Sequence, residues 1–457
     1  MIWLVASAVT LHAFWFDPRY RGDDHRAAVR FMQEHWRPGD VVLVNAGYAY
    51  TALLTCWDGP VAFRGRLTAG LPAAGRDAGL VLVTTGHVDG DAELGWADPR
   101  SDFFALPADV AERQIAALFE RFPRVWHYRI YDTVNDPEGK LRGWLADGGR
   151  LFEDRVFAGE ANMRVQGFVS RRGATWSPDL PFYRYAAGMS VQLDPAPVVI
   201  ESGGALYGSL TWRIDTAAAP PFATSLRLIG GEGDSWAQPP DERPLGSLFG
   251  PGEWPVGAPQ RQPFAVTIPP GTPPGEYTLA LLVYDPVTGK PWPPQDYRER
   301  LIAVRDGLNL SRVTVARGQT SQHFPLARFG PLALIAATSP ATVIAPGGQI
   351  PVELLWQAAS SPGEPLVVIV QLLGSGDRLA ANLEEQPIRG LYPTDRWAAG
   401  ELIRDRHTLS LPPDLPPGDY RLIVGVYRAA DRGRLKTPAG LFGERDHWMV
   451  KRVTVRQ

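Results

Sequence analysis

The segment PPGEYTLALLVYD at residues 273–285 recurs as PPGDYRLIVGVYR at residues 416–428, 143 residues further along the chain. In the first copy the side chains from Tyr277 to Tyr284 follow a period of two, with Tyr, Leu, Leu and Val at the odd-numbered positions. Alternate side chains of an extended strand lie on opposite faces, and the preceding Pro-Pro-Gly is typical of a turn. The two segments therefore predict the same turn and strand in two copies of a β module.

Further matches at nearly the same spacing support this repeat. They are Val199–Gly204 with Val343–Gly348, Leu210–Trp212 with Leu354–Trp356, Trp254 with Trp397, and Arg312–Val315 with Arg452–Val455. Because so many matches at one spacing are not expected by chance, we predict two repeated Ig-like or fibronectin-like β-sandwiches, at residues 185–315 and 330–457. Tyr277 and Tyr420 are candidates for corner tyrosines in the two modules.

Before the repeat, helical and strand patterns alternate. The predicted helices are 24–36, 48–57, 109–122 and 141–146, and the predicted strands are 41–44, 80–83, 124–130 and 150–157. Strands that alternate with helices favour a Rossmann-like three-layer α/β domain, which we place at residues 17–170. No Gly-x-Gly-x-x-Gly follows any of these strands, so we expect no dinucleotide cofactor.

The composition of the chain agrees with folded domains rich in turns. Of 457 residues, 45% are hydrophobic and 21% are charged, which allows sizeable cores. Gly and Pro, at 47 and 43 residues, are well above their usual share. The single cysteine, Cys56, excludes an intrachain disulfide framework and a cysteine-based zinc site. A net charge of −3 gives no indication of a nucleic-acid partner.

The first sixteen residues, MIWLVASAVTLHAFWF, contain no Asp, Glu, Lys or Arg. A membrane-spanning helix needs about 20 apolar residues, and this run ends before Asp17-Pro18-Arg19. We interpret residues 1–16 as the trailing part of a transmembrane helix, or an apolar anchor, that contacts the membrane. The alternative is a buried N-terminal helix or strand.

Acidic residues beside a histidine offer one candidate for acid–base chemistry. Asp23 and Asp24 precede His25, but they also stand at the start of a predicted amphipathic helix, where acidic caps are favoured. Capping is the preferred interpretation. The histidines His87, His127, His407 and His447 lack metal-type spacing, so we predict no metal site.

Polar residues that follow predicted strands are candidates for a pocket in the α/β domain. Asn45 follows the first strand, and Asp89 and Asp91 follow the strand at 80–83. Ligands of open α/β sheets bind at the carboxyl ends of the strands. Asp-x-Asp holds a metal–nucleotide-sugar in some glycosyltransferases, but a solvated loop is the commoner role of so frequent a tripeptide. No catalytic residue is predicted.

Several tryptophans are candidates for core packing or for stacking on sugar rings. Those in Pro-rich, loop-like surroundings, which are the candidate glycan contacts, are Trp236, Trp254, Trp292 and Trp397. Trp212 and Trp356 follow alternating strand residues and are expected in the cores. For Trp254 and Trp397, which occupy equivalent repeat positions, packing and glycan contact both stay open, with packing preferred.

Residues 20–44, YRGDDHRAAVRFMQEHWRPGDVVLV, directly follow the apolar segment. This stretch resembles the junction after the last transmembrane helix in bacterial polytopic membrane glycosyltransferases of family 39, the protein-mannosyltransferase-like type. In that family an Asp/His-Arg-x-Ala-Ala helix, then Pro-Gly-Asp and an apolar strand, begin a periplasmic or extracellular domain. Residues 124–131 and 143–145 also resemble that domain.

The resemblance implies a location at the bacterial cytoplasmic membrane, with the soluble part facing the extracytoplasmic side. Family members carry their catalytic acidic residues between early membrane helices, which this sequence lacks, so no catalytic residue is carried over. The implied function is a non-catalytic accessory region of a glycosyltransferase that uses a lipid-phosphate sugar. It would orient or bind a glycan or protein acceptor. A free-standing α/β enzyme with β-sandwich appendages and a structural spacer are the alternatives.

Overall fold

The computed structural model describes most of the chain. The described residues are 7, 10–12, 22–45, 47–68, 70–71, 79–89, 104–159, 162–194, 196, 198–217, 219–231, 233–295, 307–319, 323–439 and 443–456. Most of the regular structure in them is β, arranged in several sheets. The sequence predictions on residues 1–6, 8–9, 13–16 and 91 lie outside the described residues.

The first unit, at residues 22–170, contains helices and a six-stranded sheet. Its helices are α1 His25–His35, α2 Tyr50–Cys56, α3 Ala108–Arg121, α4 Asp132–Asn135 and α5 Lys140–Gly148. Its strands are β1 Asp40–Val44, β2 Val61–Arg66, β3 Leu80–Thr84, β4 His87–Val88, β5 Ala105–Leu106, β6 Arg124–Arg129, β7 Gly149–Val156 and β8 Arg164–Ser170. All the predicted helices and strands are present, and α4, β2, β4, β5 and β8 were not predicted.

The order of the sheet is β2-β3-β1-β6-β8-β7, with β4 and β5 paired separately. Strands β2, β3, β1 and β6 are parallel, whereas β8 pairs antiparallel with both β6 and β7. Helices cover both faces. Val42 and Val44 pack in one core with α1 and α2, and Val41 and Leu43 pack in a second core with α3 and α5. Burial of both faces explains why β1 is a continuous apolar run.

Two β units follow, each built from a four-stranded and a five-stranded sheet. Sandwich 1 comprises β9 Phe182–Tyr185, β10 Met189–Leu193, β11 Val199–Glu201, β12 Ala205–Ile214, β13 Ala223–Ile229, β14 Ser235–Ala237, β15 Gln260–Thr267, β16 Gly275–Tyr284 and β17 Leu308–Ala316. Sandwich 2 comprises β18 Ala327–Phe329, β19 Leu332–Thr338, β20 Val343–Ile344, β21 Gln349–Ala358, β22 Leu366–Leu373, β23 Leu379–Glu385, β24 Leu402–Ser410, β25 Gly418–Arg428 and β28 Trp448–Val455. A hairpin of β26 Thr437–Ala439 and β27 Gly443–Arg445 precedes the last strand.

The two sandwiches have the same topology. In sandwich 1 the sheet orders are β15-β12-β10-β9 and β11-β17-β16-β13-β14, and in sandwich 2 they are β24-β21-β19-β18 and β20-β28-β25-β22-β23. The Tyr277 hydroxyl donates to the carbonyl of Pro273 at 2.8 Å, and the Tyr420 hydroxyl donates to the carbonyl of Pro416 at 2.8 Å. The two units therefore repeat one sheet order, and their equivalent tyrosines make the same hydrogen bond to a carbonyl four residues earlier.

Sandwich 1 docks on the α/β unit through buried polar and backbone contacts. Arg37 Nη2 donates to Glu242 Oε1 at 2.6 Å, and the Arg37 side chain is only 8% exposed. The backbone at Gly246 approaches β7 so closely that an added Cβ would overlap the carbonyl oxygen of Phe152. Glycine is therefore required at this contact.

Sandwich 2 docks on sandwich 1 in turn. The backbone N–H of Arg404 donates to the carbonyl of Gly271 at 2.6 Å. Arg406 Nη1 donates to the carbonyl of Ser235 at 2.7 Å, and its guanidinium carbon lies 4.6 Å from the ring centre of Trp236. These contacts combine a backbone hydrogen bond with a cation–π contact, so they fix orientation as well as distance.

The same loop of each sandwich makes the contact with the preceding unit. Leu245 and Gly246 have φ of 58° and 73°, and their equivalents Ile388 and Arg389 have φ of 53° and 53°. Arg389 forms an ion pair with Asp234 of sandwich 1. A left-handed backbone is unfavourable for a branched residue such as Ile388. Both joints therefore use the equivalent left-handed loop of the following sandwich, against different partners.

One cluster of contacting buried apolar side chains runs from the α/β unit through both sandwiches. Among the residues that the structure describes, no helix combines the length and the apolar character that a membrane crossing requires.

Candidate functional site

The carboxyl ends of three parallel strands meet at one edge of the α/β sheet. β1, β3 and β6 lie side by side in the same direction, so Asn45, Thr85 and Ile130 follow them at that edge. Helix α1 begins at the same edge, because the backbone N–H of Asp24 donates at 2.9 Å to the carbonyl of Ala158, just beyond the end of β7. Open α/β sheets bind ligands at this edge.

Asn45, a predicted pocket residue, joins two strand ends. It is 1% exposed, and its Oδ1 accepts from the backbone N–H of Ile130 at 2.9 Å. Within the described part of the chain, its Nδ2 has no hydrogen-bond partner. Asn45 therefore positions the loops beneath the edge rather than lining the surface.

Asp89, the second predicted pocket residue, is exposed and tethers two helices. Its Oδ1 accepts from the backbone N–H of Ala108 at the start of α3 at 2.7 Å, and its Oδ2 lies 2.7 Å from Lys140 Nζ. The hydrogen bond from Lys140 lowers the pKa of Asp89. This is a structural role for Asp89. The third residue, Asp91, lies outside the described residues.

Tyr131 follows β6 with φ of 52° and ψ of 35°, a left-handed conformation. A bulky residue is rarely found there, and such strain concentrates at functional sites. The Tyr131 side chain is 37% exposed, its ring centre lies 5.8 Å from that of Tyr48, and its hydroxyl is 3.4 Å from Asp23 Oδ2. No sequence pattern pointed to Tyr131, because backbone handedness is set by the loop it closes.

An open pocket of about 730 Å³ lies between the start of α1 and helix α2. We call it the edge crevice. The lining side chains that can form hydrogen bonds or ion pairs are Asp23, Asp24, His25, Arg26, Thr51, Thr55 and Cys56. Its volume falls within the range of about 300–1,000 Å³ that is usual for small-ligand sites.

The start of α1 is rigidly held at this crevice. Asp24 caps the helix, since its Oδ1 accepts from the backbone N–H of Ala27 at 3.0 Å, and the predicted capping role is confirmed. His25 Nδ1 lies 2.6 Å from the Tyr128 hydroxyl. Burial raises the pKa of Tyr128, so this hydroxyl is neutral at physiological pH.

A buried polar cluster supports the edge from the other face of the sheet. Arg129 Nε donates to Asp132 Oδ2 at 2.8 Å, and Asp136 Oδ1 accepts from the backbone N–H of Leu141 in the first turn of α5 at 3.2 Å. Burial raises the pKa of Asp136 and lowers the pKa of His127 to about 3. His127 is therefore neutral at physiological pH and part of the core.

The tryptophans that were candidate glycan contacts lie mainly in the cores. Trp254, Trp397 and Trp236 are 4%, 1% and 7% exposed, whereas Trp292 is half-buried. The indole N–H groups of Trp254 and Trp397 donate to the carbonyls of Phe249 and Tyr392, each at 2.9 Å.

This placement corrects the idea that loop-like, Pro-rich surroundings leave the three buried indoles exposed. Trp254 and Trp397 turn back onto a carbonyl five residues earlier in the chain. Trp236 is covered by Arg406. A buried indole offers no face to a sugar, so we assign packing roles to these three side chains. Trp212 and Trp356, expected in the cores, are 0% exposed.

Within the described ranges, no group of three or more His, Cys, Asp and Glu side chains is arranged to hold a metal ion. The edge crevice is thus the candidate site that the geometry supports best. Comparison with models of known protein families gives no match, and comparison with curated protein sequences gives none either.

Proposed function

We propose that this chain is the non-catalytic, extracytoplasmic arm of a bacterial membrane glycosyltransferase of the protein-mannosyltransferase-like type. In this role the arm orients or binds a glycan or protein acceptor near the membrane. The observation that carries the proposal is that each sandwich meets the unit before it through the equivalent left-handed loop.

The stack supports an arm because its joints are specific. Each sandwich presents the same left-handed loop to the unit before it, at Leu245–Gly246 and at Ile388–Arg389. Units joined by flexible linkers alone need no such strained contacts. A stiff arm would keep a bound glycan or protein acceptor at a fixed distance from the membrane.

The short spacing between the predicted membrane segment and the α/β unit supports a position of this unit close to the membrane. Only residues 17–21 separate the predicted membrane segment from Gly22, which lines the edge crevice. An extended chain spans at most about 3.6 Å per residue, so these residues reach about 20 Å. The crevice would then face the bilayer, where lipid-linked sugars and their acceptors meet.

The proposal includes a finer description of the fold. We propose that the α/β unit is Rossmann-like, although β8 and β7 complete its parallel sheet as an antiparallel pair. We propose that the sandwiches are Ig-like or fibronectin-like. The repeated sheet order and the corner tyrosines favour this assignment.

The test is to identify the native polypeptide and its location. An antibody against the chain should detect, in membranes of the source cells, a protein much larger than 457 residues. Protease added to spheroplasts should digest the epitope. Recovery of a 457-residue polypeptide from the cytosol would refute the proposal.

A specific observation favours a second candidate, a free-standing α/β enzyme with β-sandwich appendages. The edge crevice lies where such an enzyme would bind its substrate. A cytosolic or secreted polypeptide of the length of this chain would favour that candidate. The burial of Trp254 and Trp397 favours a spacer role for the sandwiches under either candidate.

A further inference from the structure

The edge crevice offers several hydrogen-bond acceptors in one small space. Thr51 Oγ1 donates to the carbonyl of Tyr48 at 3.0 Å, and Thr55 Oγ1 donates to the carbonyl of Thr51 at 2.8 Å. Because these hydroxyl protons are already used, the remaining lone pairs accept. The carboxylates of Asp23 and Asp24 accept as well. A ligand that fits this set brings many donors.

Among the residues that the structure describes, the side chains that line the crevice disfavour anions. They include two carboxylates, those of Asp23 and Asp24, and one guanidinium, that of Arg26. Two backbone N–H groups at the start of α1 are already bonded, that of His25 to the carbonyl of Asp23 and that of Ala27 to Asp24 Oδ1, which leaves fewer donors for a phosphate. Like charges at a binding surface cost affinity. A lipid or nucleotide phosphate is therefore a poor match.

An aromatic side chain, Tyr131, contacts one of the residues that line the crevice. The Tyr131 hydroxyl reaches Asp23, which lines the crevice, and its ring is supported by Tyr48 at 5.8 Å. A half-exposed ring held beside carboxylates suits a molecule with apolar C–H faces and a hydroxylated edge.

We propose that the edge crevice binds a neutral saccharide, whose hydroxyl groups bond to Asp23, Asp24 and His25 and whose ring packs on Tyr131. This inference rests on the proposed function in one respect: it identifies the place where the proposed arm would bind its glycan. The crevice geometry stands without the membrane location, because it uses no residue before Gly22.

The single cysteine gives a direct measurement on the full chain. Cys56 lines the crevice and is partly exposed, so a bound ligand should shield it. We would measure alkylation of Cys56 by iodoacetamide, by mass spectrometry, with maltotriose, mannotriose or chitotriose present. Spermidine and glycerol 3-phosphate serve as cationic and anionic comparison probes. At least one trisaccharide should slow alkylation severalfold, and neither charged probe should.

A variant of Tyr131 separates binding from folding. Tyr131→Gly removes the ring but suits the left-handed backbone, so its unfolding midpoint should stay close to that of the parent. Its dissociation constant for the protecting trisaccharide should rise about tenfold, as loss of one aromatic contact predicts. The matched control is Phe182→Ala, which removes a ring 40% exposed in sandwich 1 and should leave binding unchanged.

The proposal is overturned if no trisaccharide protects Cys56, if only spermidine or glycerol 3-phosphate does, or if Phe182→Ala weakens binding as much as Tyr131→Gly. A cytosolic location combined with trisaccharide protection would refute the membrane arm and leave the saccharide site intact. If the protein is membrane-bound and extracytoplasmic but no trisaccharide protects Cys56, the saccharide site is refuted and the membrane arm is left intact.

Discussion

The joint between the two sandwiches depends on a glycine, and replacing it tests the stacked architecture. Gly271 has φ of +83°, and a Cβ added there would lie 2.8 Å from Leu355 Cδ1 and 2.9 Å from the backbone nitrogen of Arg404. In Gly271→Ala, the left-handed backbone costs about 1 kcal/mol. Overpacking against a partner that includes rigid backbone adds about 1–3 kcal/mol. We expect a total destabilisation of about 2–4 kcal/mol.

Gly257→Ala is the matched control. Gly257 has φ of +77°, and its added Cβ would meet nothing within 4 Å. This variant bears the cost of a left-handed alanine without the clash, about 1 kcal/mol. The difference between the two variants, about 1–3 kcal/mol, therefore measures the docking contact itself.

Urea unfolding of the full chain, followed by tryptophan fluorescence, reads out both effects. The parent and Gly257→Ala should each unfold in one main transition, because the units share a core. Gly271→Ala should uncouple the sandwiches and produce a separate early transition. Equal losses and single transitions in both variants would show that the sandwiches do not rely on this joint.

Three further predictions concern buried groups. Burial alone would lower the pKa of His407, but two flanking carboxylates raise it to about 9. The stabilisation that protonated His407 provides is complete below about pH 6.5 and is lost as the pH rises through about 9. The free energy of unfolding should therefore fall by about 2–3 kcal/mol across that window. The same fall in His407→Gln would contradict this prediction. Glu242→Gln deprives the buried Arg37 guanidinium of its carboxylate and should lower the free energy of unfolding by about 2 kcal/mol. In a protein that already carries Arg37→Leu, the same substitution should have little effect. Additive losses of stability in this double-mutant cycle would disprove the coupling. Trp254→Phe and Trp397→Phe each remove an indole donor from a buried hydrogen bond. Each should lower the free energy of unfolding by about 1–3 kcal/mol without altering trisaccharide binding. Weakened binding with normal stability would instead support a glycan-contact role for these tryptophans.

Local patterns in the sequence are sufficient to predict much of the fold. The apolar run at 41–44 and the amphipathic helix at 109–122 have periods that determine their own structure. Strands β2 and β8 have no such signal. Strand β2 is an edge strand with a largely exposed pattern. Strand β8 contains Gly167, whose missing side chain makes room for the ring of Phe152.

The edge crevice was harder to predict because distant segments form it. The residues after the strands were expected to line the pocket, but Asn45 and Asp89 turn inward or toward a helix. The crevice is lined instead by the start of α1 and by α2, which the sheet brings together. Tyr131 reaches this site through a left-handed backbone, which no side-chain pattern records.

The Gly271 contact also distinguishes the two sandwiches from each other. The residue equivalent to Gly271 in sandwich 2 is Asp414, between Pro413 and Leu415. An aspartate side chain at the corner of sandwich 1 would occupy the space that the backbone of Arg404 fills beside Gly271. The two corners are equivalent in the repeat but differ in chemistry, because the first admits a neighbouring backbone and the second carries a carboxylate. The repeat thus copies the fold of the module without copying the surface that receives its neighbour.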